Sequence, residues 1–114
     1  MPTNSPAATS DGPGDGLAAL EARAGHVAGR LTAMANPKRL LILCRLAEGE
    51  ASVGELQAVV GLSQSALSQH LARLREAGMV ATRREAQTIH YRLSDDETRA
   101  VMAALYEVFC ADAR

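Results

Sequence analysis

One continuous segment, residues 53–93, constrains the fold more than any other part of the chain. Val53-Gly54-Glu55-Leu56 opens a short helix, Gly61-Leu62-Ser63 makes a turn, and residues 64–75 predict a second helix. After Gly78, residues 80–93 alternate between apolar and polar side chains, as strands do, and predict a two-stranded hairpin rich in arginine. A helix-turn-helix followed by a basic wing has few uses other than binding double-stranded DNA.

Helix-start signals recur along the chain. The predicted N-terminal caps are Asn36, Ser52, Ser63 and Ser94. Pro37 follows the first of them at the position where a helix tolerates proline best, and that helix is predicted to reach about Glu48. Glu55 stands three residues after Ser52, which predicts a capping box. The acidic run 95–97 is favourable in the first turn of the last helix.

The second helix of the DNA-binding segment has an apolar face and a polar face. Its predicted core residues are Leu67, Leu71 and Leu74. The N-terminal residues of a recognition helix contact base edges, and Gln and Ser can hydrogen-bond them. The predicted base-reading residues are therefore Gln64, Ser65, Ser68 and Gln69. The residues predicted to contact phosphates or the minor groove are His70, Arg73, Arg83, Arg84, His90 and Arg92.

The charge of the chain is unevenly distributed. The formal net charge is -1, yet residues 36–93 carry eight Lys or Arg and only five acids. A nearly neutral protein can therefore present a basic face to phosphate. Solvated helix surfaces are the alternative interpretation of these charges. Aromatic residues make up only 3% of the chain, which argues against a surface that stacks single-stranded bases.

The two ends of the chain have different patterns. Residues 1–16 hold most of the prolines and predict a disordered tail, and residues 17–114 are predicted to form one domain. From Leu17 to Leu31 apolar residues recur at spacings of three and four, a helical stripe that needs a packing partner. No apolar run is long enough to span a membrane and no signal-peptide pattern is present, so a cytoplasmic location with free thiols is predicted.

Three motifs carry a resemblance to a known family. Residues 34–40, 63–71 and 74–80 strongly resemble the ArsR/SmtB family of dimeric winged-helix repressors. The resemblance implies a mainly α fold with a small β-hairpin, namely a winged helix-turn-helix of about five helices plus a two-stranded wing. It also implies operator DNA as a partner and a homodimer through the first and last helices. The predicted interface residues are Leu17, Leu20, Ala24, Val27, Leu31, Leu105 and Phe109.

The inducer sites of the family differ between its branches. The Cys-x-Cys of the arsenic and cadmium branch is absent, and the last helix has no histidine of the zinc and nickel type. His26, His70 and His90 lie on three elements without ligand spacing, so no metal and no cofactor are expected. Cys44 and Cys110 match the paired sensing cysteines of the persulfide-sensing branch, whose members include BigR and SqrR. That branch implies reactive sulfur species as inducer and a bridge between the two thiols.

Other functions stay open or are disfavoured. The alternative is a regulator of the same family that responds to peroxide by forming a disulfide, to haem, or to no ligand, with structural cysteines. Free cysteine is also a common small core residue. A thiol redox enzyme usually carries Cys-x-x-Cys, and a hydrolase of the common type carries a Gly-x-Ser-x-Gly elbow. The chain contains neither motif, so we do not expect an enzyme.

Overall fold

The computed structural model describes residues 13–113, which form five α-helices and a three-stranded antiparallel sheet. The helices are α1 (Pro13–Met34), α2 (Pro37–Ala47), α3 (Val53–Val60), α4 (Gln64–Glu76) and α5 (Asp96–Cys110). The strands are β1 (Ala51–Ser52), β2 (Val80–Glu85) and β3 (Thr88–Leu93), and a short 3-10 turn, Ala111–Ala113, follows α5. The predicted fold class, mainly α with a basic wing, is confirmed.

Helix α1 begins at Pro13, four residues before the predicted start at Leu17. Residues 1–12, the remainder of the predicted tail, lie outside the described residues. The described chain divides into two compact units, the first ending at Thr32 and the second beginning at Ala33. The boundary falls within α1 and within the segment that was predicted to form one domain.

Side-chain caps fix where the helices of the second unit begin. Asn36 Oδ1 accepts hydrogen bonds from the backbone N–H groups of Lys38 and Arg39, at 2.9 and 3.1 Å. Ser52 and Glu55 form the predicted capping box, with Glu55 Oε1 accepting from Ser52 N at 2.7 Å and Ser52 Oγ accepting from Glu55 N at 3.1 Å. Ser63 caps α4 as predicted. These bonds satisfy N–H groups that have no partner within the helix.

The predicted cap of the last helix was wrong by one residue. Asp95, not Ser94, caps α5, because Asp95 Oδ1 accepts from Thr98 N at 2.9 Å. The Ser94 hydroxyl instead donates to the carbonyl oxygen of Gly78. Ser94 therefore ties the end of the wing to the end of α4, and the carboxylate of Asp95 meets the positive end of the helix dipole.

The sheet has one more strand than the predicted hairpin. The strand order is β1-β3-β2, with Ala51 opposite Tyr91 and Ser52 opposite His90. In the hairpin, Val80 faces Leu93 and Arg83 faces His90. Two residues are too few to produce an alternating pattern, so β1 could not be predicted from its sequence. Its pairing attaches the wing to the segment between α2 and α3.

The core of the second unit joins α2, α3, α4, the sheet and α5. Its predicted members Leu67, Leu71 and Leu74 are 0–2% exposed, which confirms the apolar face of α4. Ile42 and Leu43 bring α2 into the same core at 0% exposure. Helices α2 and α4 therefore share buried contacts. Within residues 13–113, no helix combines the length and the apolar character needed to span a membrane.

Candidate nucleic-acid interface and thiol cleft

The polar face of α4 is open to solvent. The predicted base-reading residues Gln64, Ser65, Ser68 and Gln69 are all exposed. Gly61 ends α3 in a left-handed backbone conformation, with φ of 68°, which an L side chain rarely adopts. Together with the Ser63 cap, this turn fixes the direction of α4. The four side chains therefore lie on one exposed face of a helix that is buried on its other side.

His70 differs in its surroundings from the other predicted DNA contacts. Its ring is half-buried, and Arg39 Nη1 lies 3.3 Å from His70 Nδ1. A guanidinium only donates, so Nδ1 accepts and the ring proton belongs on Nε2. Burial, followed by the charges of Arg39 and Lys38, lowers the pKa of His70. Any contact of this ring with DNA would thus be a neutral hydrogen bond, whereas Arg73 on the same helix is exposed and charged.

The wing arginines point to different faces of the hairpin. Arg84 is exposed and sits opposite Ile89, and Arg92 is exposed and sits opposite Ala81. His90 is half-buried, and its Nε2 lies 3.5 Å from Glu85 Oε1. The predicted wing contacts are thus all on β2 and β3, but they do not form one uniform basic surface.

Arg83 is engaged within the protein. Its Nη2 donates to Glu50 Oε1 at 2.8 Å, and its Nε lies 2.9 Å from Glu50 Oε2. The hydrogen bonds from Arg83 lower the pKa of Glu50, and those to Glu50 raise the pKa of Arg83. Glu50 was not among the predicted site residues. The two residues are far apart in sequence, with Glu50 just before β1 and Arg83 on β2, so no pattern along the chain links them.

The two cysteines line the same cleft of about 270 Å³. Cys44 comes from α2 and Cys110 from the end of α5, and both thiols are free and exposed. The other lining residues are Leu40, Met102, Leu105, Tyr106 and Phe109. The sequence alone could not establish this proximity. The lining of the cleft is apolar apart from the two thiols and the Tyr106 hydroxyl, and burying an unpaired charge in such surroundings is costly.

A second cleft shares Cys44, Met102 and Tyr106 with the first. This cleft of about 490 Å³ is lined by Cys44 together with Glu48, Arg99 and Glu107, among others. Arg99 Nη1 donates to the carbonyl oxygen of Ala47 at 3.2 Å. Cys44 therefore borders both clefts, and the second of them includes charged side chains, while Cys110 lines only the first.

The environment of Cys44 disfavours its thiolate. Partial burial, then the nearby Cys110, then the carboxylate of Glu48 raise the pKa of the Cys44 thiol above 9.0. Since the thiolate is the reacting form of cysteine, this thiol is less reactive at neutral pH than an ordinary one.

Several predicted interface residues are exposed. Leu17, Leu20 and Leu31 on α1 are 55–67% exposed, and Phe109 on α5 is 78% exposed. Ala24 is also exposed, whereas Val27 and Leu105 are half-buried. Val108, next to Phe109, is 73% exposed. Among residues 13–113, no cluster of three or more His, Cys, Asp or Glu side chains could hold a metal ion.

Comparison with known proteins identifies relatives over most of the chain. The family model described as "Bacterial regulatory protein, arsR family" matches residues 36–82. The biofilm growth-associated repressor of Agrobacterium fabrum is 53% identical over 95 residues, which cover 83% of this chain and 81% of that protein. The transcriptional activator HlyU of Vibrio cholerae is 56% identical over 80 residues, covering 70% of this chain and 74% of HlyU.

A solved structure matches the fold. The homodimeric winged helix-turn-helix DNA-binding domain Mb0332 of Mycobacterium bovis, a possible ArsR-family transcriptional regulator, superposes with a TM-score of 0.71. The two chains are 32% identical, and the match covers 77% of this chain and 82% of that one.

Proposed function

This chain belongs to the ArsR family of bacterial regulatory proteins, and we propose that it is a homodimeric repressor induced by reactive sulfur species. As a member of that family it is a DNA-binding transcriptional regulator rather than an enzyme. In the proposed switch, persulfides bridge Cys44 and Cys110 through added sulfur, and the protein releases its operator. The observation that carries the proposal is that both thiols line one apolar cleft.

The proposed chemistry uses the persulfide as its own oxidant. The thiolate of Cys44 attacks the outer sulfur of a small persulfide, RSSH, takes up that sulfur atom and releases the thiol RSH. Cys110 reacts in the same way. One protein persulfide then attacks the cysteine sulfur of the other, and the outer sulfur leaves as hydrogen sulfide. The product is a three-sulfur bridge, and two small persulfides have been converted to two small thiols and one hydrogen sulfide.

The shared cleft leaves open a direct disulfide and a longer bridge with inserted sulfur. A disulfide requires Cα atoms within about 4.4–6.8 Å, whereas inserted sulfur spans a wider gap. In the structure the two thiols share a cleft and are not bonded to each other. Closing the bridge joins the side of α2 to the end of α5 across that cleft.

A route from the cleft to the DNA-binding face runs through the core. Helix α2 carries Cys44 on one side and buries Ile42, Leu43 and Leu46 on the other, among the same residues that hold α4. Protein cores are close-packed, so a displaced α2 displaces its neighbours. We therefore propose that the bridge changes how α4 is held.

The dimer proposal depends on apolar side chains that the single chain leaves exposed. Phe109 and Val108 on α5, and the stripe of α1 that contains Leu17 and Leu31, are the largest of them. The solved relative Mb0332 is homodimeric. Covering such residues with a second copy removes apolar surface from water, at roughly 25 cal/mol per Å².

The test is the intact mass of the reduced protein after exposure to glutathione persulfide, with the remaining free thiols alkylated. We expect a gain of at least one sulfur atom, a loss of two hydrogens and no alkylation, together with release of operator DNA. Cys44→Ser and Cys110→Ser should bind the operator normally when reduced and fail to respond. Loss of operator binding by either reduced mutant would mean that the cysteines are structural.

Other results would support the alternatives. Loss of two hydrogens without added sulfur would indicate a disulfide and a peroxide-type response. Two alkylated, unmodified thiols would rule out persulfide as the inducer. Run-off transcription from the operator tests the direction of regulation, since the relative HlyU is named an activator.

A further inference from the structure

A bidentate ion pair joins the wing to the residue that precedes β1. Arg83 Nε lies 3.0 and 2.9 Å from the two carboxylate oxygens of Glu50, and Arg83 Nη2 lies 2.8 Å from Oε1. Paired N–H donors facing a carboxylate are the geometry in which arginine binds anions best. The side chains are 47% and 31% exposed, so the pair contributes little to folding stability. Its effect is on the charge that the wing presents.

Charged groups of opposite sign lie next to Arg83 on the same face of the wing. Glu85 Oε1 lies 3.5 Å from Arg83 Nη1 and 3.5 Å from His90 Nε2. His90 and Arg92 also lower the pKa of Glu50, after the larger effect of Arg83. The carboxylates of Glu50 and Glu85 therefore lie near the guanidinium groups of Arg83 and Arg92. The neutralising partners of Arg83 come from within the protein.

We propose that Glu50 is a positioning residue that limits sequence-independent DNA binding by holding Arg83 away from phosphate. A phosphate contact by Arg83 would break the bonds to Glu50 and leave that carboxylate unpaired beside the negative charge of DNA. Affinity for random DNA depends on the number of phosphates that cations neutralise, because each one releases condensed counterions. With Glu50 present, Arg83 does not count among these cations.

The experiment measures binding of the full-length, reduced protein to a random-sequence duplex over a range of salt concentrations. The variants are Glu50→Gln, Arg83→Ala and the double mutant. Glu50→Gln should bind several-fold more tightly at low salt, and its plot of log affinity against log salt should be steeper by about 0.9, the effect of one added phosphate contact. The double mutant should return to the wild-type slope, because it removes both members of a neutral pair.

A control separates this effect from a change in net charge. Glu21→Gln makes the same change of charge on α1, and we expect the wild-type slope. Circular dichroism melts check that each variant is folded. A Glu50→Gln slope equal to that of the wild type would overturn the proposal. A double mutant with a slope about 0.9 shallower than that of the wild type would also overturn the proposal. That result would mean that Arg83 binds phosphate in the wild type despite Glu50.

This inference depends on DNA binding by the family and not on the cysteine switch. The measurements use reduced protein without any sulfur donor. Their outcome is therefore independent of the mass experiment, and either proposal can fail while the other holds.

Discussion

Cys44 on α2 and Cys110 at the end of α5 line one apolar cleft, but of the two only Cys44 also borders the second cleft, which Glu48 and Arg99 help to line. The two thiols are therefore not equivalent toward a reagent from solvent. In the proposed switch, the bridge closes across the apolar cleft that both thiols line.

The reactivity of Cys44 should depend on pH and on Glu48. The pKa of Cys44 is raised above 9.0, so neutral pH lies below it. In that range, the thiolate fraction of Cys44 rises about tenfold when the pH rises by one unit. Alkylation of Cys44 should accelerate accordingly between pH 7 and pH 8. Glu48→Gln removes a charge that disfavours the thiolate and should accelerate alkylation at a fixed pH. Glu107→Gln, in the same cleft, is the control, and an equal acceleration there would contradict the assignment.

Arg84→Ala should weaken binding to operator and random DNA to a similar extent. Arg84 is exposed on the wing, and a lost phosphate contact reduces the salt slope by about 0.9. Salt-dependent fluorescence anisotropy on both duplexes measures this. Arg84→Lys keeps the charge and should keep the slope. An unchanged slope for the alanine variant would show that Arg84 does not contact phosphate.

Gln69→Ala should reduce the difference in affinity between operator and random DNA. An amide that pairs with an adenine edge contributes roughly 1–3 kcal/mol of discrimination. Gln69 is exposed on α4, whereas Gln57→Ala removes an amide from α3 and serves as the control. Parallel titrations of the two duplexes give the difference directly. Equal losses of affinity for the two duplexes would indicate that Gln69 contacts the DNA backbone and not a base.

Asp95→Ala should lower the free energy of unfolding by about 0.5–2 kcal/mol, the usual cost of losing an N-cap. The reason is the bond from Thr98 N to Asp95 Oδ1, which satisfies the first turn of α5. Urea denaturation followed by circular dichroism measures the change. Asp95→Asn keeps a cap oxygen and should lose less. If both variants matched the wild type, the cap would be dispensable.

Val108→Asp should shift the protein from dimer to monomer. Val108 is 73% exposed on α5 in the single chain, and a carboxylate there would have to be desolvated in an interface. Size-exclusion chromatography with light scattering gives the mass. Val59→Asp alters an exposed apolar residue of α3 and should leave the mass unchanged. A dimeric Val108→Asp protein would place the interface elsewhere.

Local signals predicted most of the helices and the hairpin. Caps such as Asn36 and Ser63 act within a few residues, so the chain itself identifies them. Ser94 and Asp95 are adjacent and both suited to capping, and the choice between them depends on the bond from Ser94 to Gly78. That bond is a tertiary contact, which no local pattern contains.

The candidate site was predictable where it lies on one element and not where it joins several. The exposed Gln and Ser face of α4 follows from helical spacing and was read directly from the sequence. The pairing of Arg83 with Glu50 and the shared cleft of the two thiols bring together distant parts of the chain. Charge and residue type made Arg83 and the cysteines candidate site residues, but only the fold determines what each of them faces.

The strand order β1-β3-β2 places β2 at an edge of the sheet. An edge strand offers unpaired backbone groups that can join a strand of another molecule, which is a common start of aggregation. Here the outer half of that edge is Arg83-Arg84-Glu85, and all three side chains are exposed. Charged side chains on an edge oppose such pairing. The wing that is proposed to approach DNA thus carries side chains that also disfavour pairing with the wing of another molecule.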